Sequence, residues 1–264
     1  MSKLIQRIER LGKAGPAPMG FGASARQPTP PAMVLVGTVT DPARASDFSD
    51  AELDAVLYNP GSAGSDAAAQ VDEALGETPW GVSRQGSTVE DLQALATRGC
   101  DFVVLGTTAL SVEALHHEDM GRLIVVSMDM PKEQARALEP LPLDGVVLSE
   151  PLDLPLTLER LHQLATLRGE IGLPFLIHIT ATPTAWEVEC LREVGVEGLM
   201  ADLDNASVQD VQAVAKAIRS IPRRKPRGDR PMASLPRVRA DEGAHRHEPE
   251  EEDDEDDEDY GFGE

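Results

Sequence analysis

Eight apolar runs, each five to eight residues long, recur along this chain at intervals of 21 to 29 residues. They are Met33 to Val39, Asp54 to Asn59, Pro79 to Ser83, Asp101 to Gly106, Arg122 to Ser127, Asp144 to Ser149, Leu173 to Ile179 and Val196 to Leu203. Almost every interval carries apolar residues at helical spacing, so the chain reads as eight βα units in a row. That order predicts an α/β fold, a compact (β/α)8 TIM-type barrel spanning 33–221.

The units average about 24 residues, short for this architecture, which takes about 250 residues in its usual form. Loops must therefore be brief. Thr40 to Leu53 has the weakest helical periodicity and makes the first unit the least marked. Thr88 to Arg98, Thr184 to Val194 and Ser207 to Ile221 are the best marked helices, and Ser207 with Asp210 fits a capping box. An internal echo runs through Gly99-Cys-Asp101 and Gly195-Val-Glu197. Each places Gly-x-acid before an apolar run, with the glycine ending a helix. Leu143-Asp144 keeps the acid without the glycine. This cadence resembles (β/α)8 enzymes at the level of fold.

The flanks differ from the barrel segment. In 1–32, Leu4, Ile5, Ile8 and Leu11 share one helical face before an Ala/Pro/Gly-rich linker. A basic amphipathic helix of this kind binds membranes or partners in some proteins, but packing under its own barrel is the simpler expectation. The segment 222–264 turns basic and then acidic, and 250–259 is a run of acids without an apolar residue. Such a tail buries too little to offset chain entropy and is expected to be disordered, its acids suited to a basic protein partner.

Charge narrows the function. The net charge is −22, and 33–221 holds 30 acidic against 11 basic side chains. Binding to nucleic acid depends on neutralising phosphates, so a nucleic-acid role is not expected. No apolar run approaches membrane-spanning length, and a soluble cytoplasmic protein is expected. Cys100 and Cys190 give neither a disulfide framework nor metal-ligand spacing.

Barrel chemistry collects at the C-terminal ends of the strands. There the sequence places Asp129, Glu150, His178 and Asp202, one imidazole with carboxylates. This set suits general acid–base catalysis or a divalent cation such as Mg²⁺, Mn²⁺ or Zn²⁺. The competing expectation is that the acids cap helix starts and that His178 is an inner-layer residue. Arg84 is the basic side chain at these strand ends, a candidate anchor for an anionic group unless it pairs with a rim acid. Thr180 and Thr182 could orient substrate or hold an anion. Lys132 and Lys216 fall outside the strands, which disfavours a Schiff-base mechanism. Two functions follow: an enzyme (lyase, isomerase or hydrolase) acting on a small polar or anionic metabolite, or a non-catalytic barrel serving as a scaffold through its helix and tail.

Overall fold

A computed structural model describes residues 1–11, 31–60, 75–85, 88–106, 112–116 and 119–221. The chain begins with α1 (Lys3–Leu11) and then enters the strands. These are β1 (Val34–Val39), β2 (Ala55–Tyr58), β3 (Trp80–Arg84), β4 (Phe102–Leu105), β5 (Gly121–Val126), β6 (Gly145–Leu148), β7 (Phe175–Ile179) and β8 (Val196–Asp202). Each pairs in parallel with the next, and β8 pairs with β1 to close an eight-stranded barrel. The helices are α2 (Pro42–Ala45), α3 (Val89–Thr97), α4 (Lys132–Arg136), α5 (Leu158–Arg168), α6 (Ala185–Glu193) and α7 (Val208–Ser220). The first unit is weak as expected: α2 is four residues long and runs into a 3-10 segment at Ser46–Ala51.

Polar signals set the helix ends. Thr88 with Asp91, Thr184 with Glu187 and Ser207 with Asp210 form reciprocal capping boxes at α3, α6 and α7. Gly99 and Gly195 follow α3 and α6 with φ of 85° and 95°, a region open to glycine at little cost.

Strand alternation divides the apolar residues into two cores. Val34, Val36, Leu57, Val104, Val147 and Met200 fill the barrel interior. Their neighbours in sequence face outward and pack under the helices, as Leu35, Val103, Val146 and Leu199 do. The interior mixes large and small groups. An added Cβ on Gly81 of β3 would lie 2.5 Å from both the Phe102 ring and the Phe102 carbonyl oxygen.

The acids that begin several strands complete the ladder at the bottom. Asp54 Oδ2 accepts the Leu35 N–H (2.9 Å), Asp144 Oδ2 accepts the Arg122 N–H (2.8 Å) and Glu197 Oε2 accepts the Phe175 N–H (2.8 Å). Each satisfies a backbone donor on the preceding strand, a group that is costly to leave unpaired. Glu197 reaches its partner where the β7–β8 register shifts by one residue. This is the physical content of the repeated acid.

Asp101 uses the same position differently. Its carboxylate accepts from Ser2 Oγ (2.8 Å) and from the N–H groups of Lys3 (2.6 Å) and Leu4 (2.9 Å), fixing the start of α1. Leu4, Ile5 and Ile8 then join the interior cluster and close the bottom of the barrel. Each such burial is worth about 1.5–3 kcal/mol. The amphipathic helix is thus a plug for its own domain, and Met1–Arg224 forms one compact unit. The linker at 12–30 and the charged segment from 222 onward lie outside the described residues. Among those described, no helix is long and apolar enough to cross a membrane.

Two stability effects follow. Asp101→Ala frees the α1 donors and should lower unfolding free energy by about 1–3 kcal/mol in urea titration. Gly81→Ala overpacks the interior against backbone and ring and should cost about 1–3 kcal/mol in the same assay.

Candidate functional site

Alternation decides which strand-end side chains enter the mouth. Counting up from the interior residues, the inward positions at the top are Thr38, Asn59, Ser83, Ser149, His178 and Asp202. All six line a cavity of about 530 Å³ at the C-terminal end of the barrel, floored by Leu57, Val104, Val125 and Val147. Gln85, Asp204 and Asn205 complete its rim.

His178 sits on β7 opposite Met200 of β8, half-buried. The segment after β6 braces its backbone, since Leu152 N–H donates to the His178 carbonyl at 2.7 Å. Burial holds the imidazole below its ordinary value, and the nearby Asp202 carboxylate partly opposes that shift. The ring is therefore neutral at neutral pH and able to accept a proton. Asp202 ends β8 in register with Thr38 of β1. Its Oδ1 accepts the Asp204 N–H (2.9 Å) and its Oδ2 accepts from Asn205 Nδ2 (2.7 Å). Asp204 in turn accepts the Thr40 N–H at 2.8 Å, tying the loops after β8 and β1 together.

The other candidates separate. Glu150 turns to the loop after β5, accepting from Ser127 Oγ (2.8 Å) and from the Met128 N–H (3.0 Å). Burial pushes its carboxyl upward, but these donors and the Ser149 hydroxyl outweigh it and hold the group below the usual carboxylate range. Asp129 is exposed on the turn following β5, its N–H donated to Ser127 Oγ at 3.2 Å. The expected four-residue cation centre is thus corrected: Asp129, Glu150, His178 and Asp202 do not gather at one point. Among the described residues no group of three or more His, Cys, Asp or Glu side chains is placed to hold a metal ion. Glu150 turns its oxygens toward the loop after β5 and Asp202 toward the loop after β8, so the two carboxylates serve different loops.

Arg84 is corrected as well. It follows Val82 in the outward frame, half-buried beneath the helical layer, and lines neither the mouth nor its side compartment. Its Nε is buried without a hydrogen-bond partner. It lies close enough to Tyr58 and Cys100 to favour their ionised forms, though burial dominates both and pushes the Cys100 thiol up to about 12. Cys100 is thus an inert core thiol.

Thr180 and Thr182 line a compartment that opens beside His178 and Asp202. The anion-holding role expected of this loop meets a shortage of free donors: Thr180 N–H goes to the Leu152 carbonyl (3.3 Å) and Thr184 N–H to Glu187 Oε2 (2.8 Å). Sequence reading of the site passed over Gln85 and Asn205, which lie just past the strands. The polar cluster Asp202-Leu-Asp204-Asn205 was the available signal for the second.

No protein-family profile matches the chain, and no curated protein matches it. Solved structures do. A native KDPGal structure is 17% identical with a TM-score of 0.53, covering 70% of this chain and 94% of the other. Orotidine 5'-phosphate decarboxylase from Pyrococcus horikoshii OT3 is 15% identical (TM-score 0.53; 71% and 100% covered). Tryptophan synthase subunit alpha from Legionella pneumophila str. Paris is 11% identical (TM-score 0.53; 84% and 100% covered). At these identities the likeness is one of fold.

The site titrates with a definite sign. The folded chain resists protonation at His178, whereas the unfolded chain takes that proton at the ordinary value of 6.5. The stability involved is complete above 6.5 and is lost as pH falls toward the folded value. His178→Gln should flatten this part of the stability–pH curve. Asp202→Asn removes the opposing attraction and should lower the His178 titration midpoint further, read from its imidazole NMR signals.

Proposed function

We propose that this protein is a small (β/α)8 enzyme of lyase or isomerase type acting on a small polar metabolite, with His178 as its general base and acid. The observation that carries the reading is the placement of His178 and Asp202. They occupy inward positions on neighbouring strands, at a cavity of about 530 Å³ with an apolar floor and a polar rim. The neutral imidazole takes a proton from a carbon beside a carbonyl. Where that carbon also bears a hydroxyl, the electron pair moves onto the carbonyl oxygen to give an enediolate, and the hydroxyl proton passes to that oxygen. The imidazolium, free to exchange its proton with water, protonates the former carbonyl carbon, so that the carbonyl shifts by one carbon. Asp202 faces the imidazolium so formed and offsets its charge, an effect that strengthens in a water-poor mouth. Ser83 and Gln85 supply uncharged donors for the oxygen that gains charge.

The rim also points to the substrate's charge. No Arg or Lys is among the described residues lining the mouth. The intervening stretches 61–74, 86–87, 107–111 and 117–118 hold none in their sequence either. With Asp202 and Asp204 at the edge, an uncharged polar substrate fits better than an anionic one. The fold neighbours named above include a decarboxylase and a synthase subunit, so this scaffold carries enzymes.

The test uses the full chain in deuterated water with a panel of small uncharged hydroxyaldehydes and hydroxyketones. Proton NMR should show exchange of the hydrogen beside the carbonyl for at least one member. His178→Ala should slow that exchange by about 10²-fold or more. Exchange that survives His178→Ala, or no exchange with any panel member, would sink the assignment.

A further inference from the structure

Beside His178 the mouth opens into a second compartment of about 710 Å³. Thr38, Ser149, His178, Asp202 and Asn205 line both spaces, so the two communicate. Beyond them the compartment leaves the barrel interior. Ile179 and Ala201 belong to the outward-facing core of β7 and β8, and Val211 and Val214 meet them from the first turns of α7. The lobe is therefore a crevice between the barrel wall and the helical layer. It stays open because Ala181, Ala201 and Ala206 present only methyl groups where longer side chains would fill it.

Its inner end is apolar and its edge is unsuited to an anion. The start of α7, where unpaired N–H groups attract negative ligands, is already closed by its own side chains. Ser207 Oγ accepts the Asp210 N–H (3.2 Å), while Asp210 Oδ2 accepts from Ser207 Oγ (2.6 Å) and the Ser207 N–H (3.2 Å). A carboxylate thus holds the place an incoming anion would take. Asp202 stands across the same space, and no Arg or Lys is among the described residues that line it.

We propose that this lobe takes an uncharged apolar group of the substrate, a branched or cyclic hydrocarbon, and excludes phosphate. The substrate then lies with its polar, reacting end at His178 and its bulk between β8 and α7. That orientation rests on the reading of His178 as the proton-transfer residue, whereas occupancy of the lobe does not.

Methyl-labelled full-length protein, titrated separately with cyclohexanone and inorganic phosphate, tests the proposal. Cyclohexanone should shift the Ile179, Val211 and Val214 methyl signals saturably, and phosphate should leave them and the Thr180 and Ser207 amides unmoved. Ala181→Leu, at an exposed loop position on the lobe, should weaken cyclohexanone binding about tenfold or more, the loss of roughly 1.4 kcal/mol of contact. The His178 titration should be unchanged in that variant. Saturable phosphate shifts at Thr180 and Ser207 would overturn the proposal, as would the absence of any methyl response to cyclohexanone. If cyclohexanone binds as expected while carbon–hydrogen exchange survives His178→Ala, the lobe stands and the catalytic reading alone falls.

Discussion

The pairing of Val34–Thr38 with Gly198–Asp202 is the contact on which everything else rests. Without that seam the chain would be an open parallel sheet, with β1 and β8 as unpaired edges. Closing it gives each strand two neighbours and turns one face inward along its whole length. It also brings Asp202, late in the chain, beside Thr38, which comes early. Leu203 N–H then donates to the Thr38 carbonyl at 2.9 Å, and Arg44 reaches over to the Leu203 carbonyl at 2.9 Å. The mouth exists because the sheet is closed, and its composition follows from which residues fall in the inward frame.

Much of that frame was legible in the sequence. The apolar runs located the strands to within a residue or two, and the capping box at Ser207 and Asp210 marked the start of α7. The Gly-x-acid echo was visible, although its partners were not: Glu197, like Asp144, bonds a backbone group of the preceding strand, whereas Asp101 bonds the start of α1. Side-chain direction was the harder part. Ser83 ends its apolar run and Arg84 follows it directly, and the pairing of Gly81 with Phe102 fixes Ser83 as the inward one. Asp129 and Glu150 follow their strands closely enough to suggest a shared centre. Glu150 instead answers the donors of the β5 loop, Ser127 and Met128. Competition for a carboxylate among nearby backbone groups is invisible to spacing.

The resulting mouth is acidic and well satisfied. Asp202, Asp204, Glu187 and Asp210 each accept hydrogen bonds from loop or helix-cap groups, so their charge stabilises the architecture around the cavity. Such a rim repels negative ligands at long range and leaves His178 as the titrating group between an aliphatic floor and a fixed carboxylate. The negative charge around the mouth is thus a by-product of how the loops are held.

The plug at the barrel bottom joins parts of the chain that are far apart in sequence. The first helical residues bind a carboxylate 97 to 99 positions later in the chain, and Leu4, Ile5 and Ile8 rest among side chains drawn from strands as distant as β8. Made first, α1 cannot dock until most of the barrel has been synthesised. Its apolar stripe stays exposed through that interval, and its closure carries the entropy of a long loop. The floor of the barrel is thus closed by contacts far apart in the chain, and the entropy of that long loop is met when α1 docks.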